Sequence, residues 1–245
     1  PEIFPVPKEF EEEVVRSYRE RNTHYPAADG IPELRRAVGD FIRDREQLDY
    51  DPASEILISA GGRPLIYATY LAVVDRGERV IYATPSWNNN HYTHFVGGEH
   101  VVVEAMPEDN FMPTAASLRP VIRGASLLAL CSPLNPTGTT FSRAQLEDIL
   151  DLVLEENARR GPQEKKLYLL FDQIYWQLTF GETVHYHPVG LRPELRDYTI
   201  YIDGMSKAFA STGVRVGWAL GPAPVIAKMK AILSHVGAWS PMPEQ

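Results

Sequence analysis

The stretch Thr199-Ile200-Tyr201-Ile202-Asp203-Gly204-Met205-Ser206-Lys207 reads as a short apolar strand that stops at a glycine and delivers a lysine just past its carboxyl end. Six comparable runs lie elsewhere in the chain, so strands are predicted at 56–59, 79–83, 100–104, 126–131, 167–171, 199–203 and 214–219. Between or after them, apolar residues recur at helical spacing over 63–75, 88–95, 115–121, 143–157 and 225–235. Strands that alternate with helices predict a mostly parallel sheet covered on both faces, a three-layer α/β/α fold. Ligands of such sheets bind beyond the carboxyl ends of the strands, which is where Lys207 falls.

Ahead of the first strand, prolines at 1, 5 and 7 precede a charged stretch at 11–21 suited to an exposed helix. Tyr25-Pro26-Ala27-Ala28-Asp29-Gly30 is a loop, because Asp-Gly turns readily and a residue before proline avoids the helical region. The next segment, 31–45, carries Leu34, Val38, Phe41 and Ile42 on one helical face. There are no repeats and no low-complexity tract.

Composition narrows the function classes. A hydrophobic fraction of 44% suits a chain that buries a substantial core, and 32 acidic against 24 basic residues leave a net charge of −8. An acidic chain without a basic face is not expected to bind nucleic acid. No apolar run approaches the roughly 20 residues needed to span a bilayer, and the first ten residues lack a signal-peptide layout. The single cysteine, Cys131, excludes an intrachain disulfide and fits a reducing compartment, so a soluble cytoplasmic protein is expected.

Three further segments present chemistry at strand ends. Leu169-Leu170-Phe171-Asp172-Gln173-Ile174-Tyr175 ends a strand on an aspartate, which read alone serves equally as a turn or cap residue. Ser132-Pro133-Leu134-Asn135-Pro136-Thr137-Gly138 follows another strand and read alone is a plain turn. After Lys207 comes Ala208-Phe209-Ala210, then Gly213-Val214-Arg215-Val216-Gly217-Trp218. Lys207 by itself reads as a surface lysine. Together the segments bring an amine, a carboxylate and an amide to one edge of the predicted sheet.

In that order and at those separations, Asn135-Pro136-Thr137-Gly138, Asp172-Gln173-Ile174-Tyr175 and Ser206-Lys207 through Arg215-Val216-Gly217-Trp218 resemble the signature of class I/II aminotransferases. These are enzymes of the fold-type I family that depend on pyridoxal 5'-phosphate. The resemblance covers nearly all the chain from about Tyr25 onward and implies the large domain of that fold over 41–245. It also implies that 1–40 is an N-terminal segment belonging to the small domain and the dimer contact. The family continues past residue 245 into a long helix and the rest of the small domain, so that portion, with the arginine for the substrate carboxylate, is expected to be missing.

The resemblance assigns roles residue by residue. Lys207 would form a Schiff base with the cofactor and then move the α-proton, which a desolvated lysine near other cations can do as the neutral amine. Asp172 would keep the pyridine nitrogen protonated, and Asn135 and Tyr175 would hydrogen-bond the phenolic oxygen. Arg215 would clamp the phosphate with its planar fork. Ser59-Ala60-Gly61-Gly62-Arg63-Pro64 joins a strand to a helix, and the amides of Gly62 and Arg63, with Gly61 allowing close approach, would face the same phosphate.

Trp87 matches the aromatic residue that stacks on the pyridine ring, although read alone it is a core or surface tryptophan. Tyr25 resembles the tyrosine that reaches the phosphate of the partner subunit, and read alone is a loop tyrosine. Many relatives carry a serine or threonine three residues before the lysine. Here that position is Gly204, which leaves the contact of Ser206 with the phosphate open.

The resemblance implies transfer of an amino group from an amino acid to a 2-oxo acid, by a homodimer whose site is shared between two copies. Lyase or decarboxylase chemistry uses the same machinery. A sensory domain of a transcription regulator is a second alternative, against which 1–25 offers no basic helix-turn-helix. A nicotinamide-binding domain ranks last, lacking Gly-x-Gly-x-x-Gly after the first strand. No metal is expected: His91 and His94 lack a third ligand, and they, His24, His185 and His187 are read as solvated or polar packing residues.

Overall fold

A computed structural model describes residues 4–245; Pro1, the first of the three early prolines, lies outside the described residues with the other two positions of 1–3. In chain order the elements are α1 Lys8–Arg19, α2 Pro32–Glu46, β1 Ile56–Ser59, α3 Gly62–Val73, β2 Arg79–Thr84, α4 Asn89–Val96, β3 Glu99–Glu104 and α5 Ala115–Leu118. They continue with β4 Ala125–Cys131, α6 Arg143–Arg159, β5 Tyr168–Asp172, α7 Pro188–Leu191, β6 Thr199–Gly204, α8 Met205–Ala208, β7 Gly217–Leu220 and α9 Ala223–Val236. Two compact units divide the chain, Pro1–Ala68 with Ile202–Gln245, and Thr69–Tyr201.

The unit Thr69–Tyr201 is built on parallel strands. β2 pairs with β3 on one side and β4 on the other, and β4 pairs with β5, all parallel. β4, Ala-Ser-Leu-Leu-Ala-Leu-Cys, is buried over its first six residues, as a strand covered on both faces must be. β3 alternates instead, burying Val101 and Val103 while exposing His100, Val102 and Glu104. Helix α6 starts where the Ser142 hydroxyl accepts the Gln145 N–H at 3.2 Å. Its buried Leu146, Ile149, Leu150 and Val153 make one continuous stripe. Because β2, β4 and β5 run the same way, the residues following Thr84, Cys131 and Asp172 emerge at one edge.

In the unit Pro1–Ala68 with Ile202–Gln245, β1 pairs antiparallel with β7, matching Ile56 to Leu220 and Ser59 to Gly217. The seven strands are thus mixed but mostly parallel. Helices α2 and α9 pack on β1, and α1 packs on the short turn Met242–Glu244 without burying any of its own residues. Helix α2 opens with Pro32 at its first turn, where the missing N–H costs nothing, and buries Val38 and Ile42.

Four elements differ from expectation. The strand predicted at 214–219 begins only at Gly217, because Arg215 has φ 64, a left-handed conformation that no strand accommodates. The helix predicted at 115–121 ends at Leu118, because Pro120 has no N–H with which to continue it. The single-turn helices α7 and α8 are too short to carry a periodic signal in the sequence.

Candidate functional site

Lys207 lies in α8, the single turn that follows β6 directly. The turn is closed from within: Phe209 N–H bonds Met205 O at 3.1 Å, Ser211 N–H bonds Ser206 O at 3.2 Å, and the Ser211 hydroxyl donates to Met205 O at 2.8 Å. The Met205 N–H reaches Val216 O at 3.2 Å, tying the lysine turn to the residue next to Arg215. Ser206 is buried and Lys207 half-buried.

Arg215 holds its left-handed backbone at some cost, of about 1–3 kcal/mol for a non-glycine residue. Its guanidinium donates to Thr212 O and to Ala60 O, both at 2.7 Å, which commits two of five N–H donors. These bonds lay the fork directly over Gly61. A Cβ at Gly61 would collide with Nη2 of Arg215 and stand 2.8 Å from Cζ, and Gly61 has φ +87 besides. Gly217 is excluded from carrying a side chain in the same way, since its Cβ would stand 2.6 Å from the Gly61 carbonyl carbon. Gly62 and Arg63 then open α3 with Pro64 third, so the donors at the mouth of this helix are the amides of Gly62 and Arg63.

The other unit carries the remaining polar residues. Asp172 is the last residue of β5, in register with Cys131 of β4. Its Oδ1 accepts the Ile174 N–H at 3.1 Å, which turns the chain toward Tyr175. The Tyr175 hydroxyl accepts from Asn135 Nδ2 at 3.3 Å, so the structure brings Asn135 and Tyr175 together. Burial pushes the Tyr175 hydroxyl above its ordinary pKa, and the Asp172 and Cys131 charges add to that, while Asn135 opposes it. The Cys131 thiol is likewise pushed up, by burial first and by Asp172 second. Burial leads both shifts, and the Asp172 charge adds to each.

Trp87 lies between β2 and α4, 45% exposed. Tyr25 is 85% exposed, its ring edge-on to Trp239 at 5.0 Å.

Two residues to which the sequence assigns no part in the site gain contacts here. Gln173 is fully buried, and its Oε1 lies 3.3 Å from His187 Nδ1. Of the two readings of His185, solvated or packing, the structure shows the second: its ring packs against Phe171, Trp176 and His187, and neither ring nitrogen has a hydrogen-bond partner. Burial, and then His187, push His185 down to about 3. Alternation of His185 and His187 about Tyr186 was the available signal, but nothing local says which face turns inward.

The model of the family "Aminotransferase class I and II" matches residues 5–244. An aspartate/prephenate aminotransferase of Thermus thermophilus is 33% identical over 234 residues, covering 95% of this chain and 57% of that protein. An aspartate aminotransferase of a Bacillus species is 30% identical over the same shares. Among solved structures, the Thermus thermophilus aspartate aminotransferase with maleate superimposes with TM-score 0.91 at 31% identity, covering 99% of this chain and 60% of its own. An aromatic aminotransferase from Pyrococcus horikoshii gives 0.92 at 26% identity, with 99% and 63% covered. The chain thus spans just over half the length of the relatives it matches.

Proposed function

The chain belongs to the class I and II aminotransferase family, and from that membership we propose that it is the cofactor-binding part of an enzyme that moves an amino group from an amino acid to a 2-oxo acid. The observation that carries this reading is the Arg215 fork laid over Gly61 at the mouth of α3. Only a residue without a side chain leaves that space, and a guanidinium beside the amides that open a helix is suited to a phosphate dianion. The donor set therefore fits pyridoxal 5'-phosphate.

The chemistry that bound pyridoxal phosphate supplies is an electron sink for the bonds at the substrate α-carbon. Under this reading Arg215 and the amides of Gly62 and Arg63 anchor the phosphate, and Ser206 lines the same place. Lys207 would hold the cofactor through Nζ and would take and return the substrate α-proton at that atom. Asp172 keeps a proton on the pyridine nitrogen, for which a carboxylate whose charge already weighs on Tyr175 and Cys131 is suited. Asn135 and Tyr175, hydrogen-bonded to each other, orient the phenolic oxygen. Trp87 covers the ring. Tyr25, so exposed in the single chain, reaches the phosphate of a second copy, so the working form is a homodimer.

The division into a 1–40 segment, shared with a small domain and the dimer contact, and a 41–245 cofactor domain belongs to the same proposal. So do amino-acid and 2-oxo-acid substrates and a reducing, cytoplasmic setting for the free Cys131. Among the described residues, no helix is long and apolar enough to cross a membrane.

The test is uptake of pyridoxal phosphate, followed by absorption. The chain is expected to gain a visible band that survives buffer exchange, and Lys207→Ala is expected to lack it. Added aspartate, the donor in the relatives' names, is the first amino acid to try for bleaching the band. A band of equal strength in Lys207→Ala would refute the assignment.

A further inference from the structure

The turn that carries Asp172 and Tyr175 is closed from within by short-range hydrogen bonds. Ile174 N–H bonds the Asp172 carboxylate, Trp176 N–H bonds Gln173 O at 2.9 Å, and Leu178 N–H bonds Tyr175 O at 2.8 Å. All three are local, and the first uses the carboxylate itself. From outside, Ser132 N–H bonds Asp172 O at 3.0 Å, Asn135 bonds the Tyr175 hydroxyl, and the segment that returns past the turn adds a further hold. His187 Nδ1 stands 3.3 Å from Gln173 Oε1, and because an amide oxygen only accepts, the imidazole donates.

His187 is itself anchored at the start of α7, where Val189 N–H donates to the hydroxyl of the fully buried Tyr201 at 2.8 Å. Its ring lies edge-on to Trp176 at 5.5 Å and to His185 at 4.7 Å. His185 in turn packs on Phe171 at 5.9 Å and on Trp176 at 6.0 Å. The return segment therefore grips the turn before Asp172, at Gln173 and after Tyr175. Gln173 has no exposed surface, so if its amide rotated, the backbone on either side would have to move with it.

We propose that Gln173 and His187 are positioning residues: their hydrogen bond sets the direction of the Asp172 carboxylate and the Tyr175 hydroxyl. The inference rests on reading those two groups as cofactor contacts. It assigns Gln173 and His187 no contact with cofactor or substrate.

Hydrogen exchange read by mass spectrometry on the peptide spanning 172–178 tests it, with pyridoxal phosphate uptake measured on the same samples. Loss of one buried hydrogen bond is worth about 1 kcal/mol, so exchange in that peptide should rise roughly fivefold in His187→Ala. Peptides from β2 and β4 should keep their rates. His187→Asn, whose amide nitrogen stands near the place of Nδ1, should restore protection. Gln173→Met, which fills the space without an acceptor, should loosen the same peptide and serves if His187→Ala does not fold.

Unchanged exchange at 172–178 in both variants would overturn the proposal, as would a uniform rise across the whole chain, which is loss of stability alone. A local rise accompanied by weaker pyridoxal phosphate binding supports it in full. A local rise in a chain that takes up no pyridoxal phosphate even as wild type supports the positioning bond while refuting the cofactor reading beneath it.

Discussion

Gly61 and His185 show how much of this protein is decided at single positions. Gly61 is a glycine because Arg215 occupies the space where its side chain would be, and because its backbone is left-handed. Gly61→Ala is therefore expected to displace the guanidinium and weaken pyridoxal phosphate binding at least about tenfold, the equivalent of one charge-assisted hydrogen bond. Titration of the visible band checks this. His185 has the opposite character, a polar ring kept where nothing answers it. Its folded pKa, about 3, lies below the ordinary 6.5, so between these values the unfolded chain binds more protons than the folded one. Stability should accordingly fall as pH drops from about 6.5 toward 3, by at most about 5 kcal/mol from this group. His187 is the titratable neighbour that reinforces the shift. His185→Phe should flatten this part of the profile in urea titrations at pH 4.5 and 7; an unchanged slope would locate the acid sensitivity elsewhere.

At the scale of elements, α6 shows what holds the parallel unit at the end of the strands remote from Asp172. Glu156, 3% exposed, accepts from Gly124 N–H at 3.0 Å and from Arg160, whose side chain also donates to Ala125 O and Lys165 O. Burial works against the Glu156 charge, yet Gly124 and Arg160 outweigh it and hold the carboxyl below its ordinary range. Glu156→Ala leaves Arg160 buried and opposed by nothing, so unfolding should become easier by about 3 kcal/mol in denaturant titration. The elements themselves were largely legible. Helix α6 and strands β2, β4 and β6 announced themselves by periodicity or by continuous apolar runs bounded by turn residues. What periodicity could not report was α8, one turn long, or the late start of β7, where the conformation of Arg215 overrides the β-forming character of Val214 and Val216.

For the molecule as a whole, the prediction concerns a second copy. If Tyr25 reaches the phosphate of a partner, wild-type affinity for pyridoxal phosphate should tighten as protein concentration carries the chain from monomer to dimer. In Tyr25→Phe that gain should shrink, with the dimer itself intact by sedimentation; a gain of equal size would leave the tyrosine no such part. By itself the sequence determined the alternation of strands and helices, the mostly parallel sheet and the identity of the family. Each is written locally, in apolar spacing, turn residues and short motifs at strand ends. Tertiary structure alone decided that Arg215 lies over Gly61, that Asn135 meets Tyr175, and that His187 reaches back to Gln173. Those pairs are separated by 154, 40 and 14 residues. No local propensity encodes such meetings; they follow only when burial of the strands fixes which loops face one another.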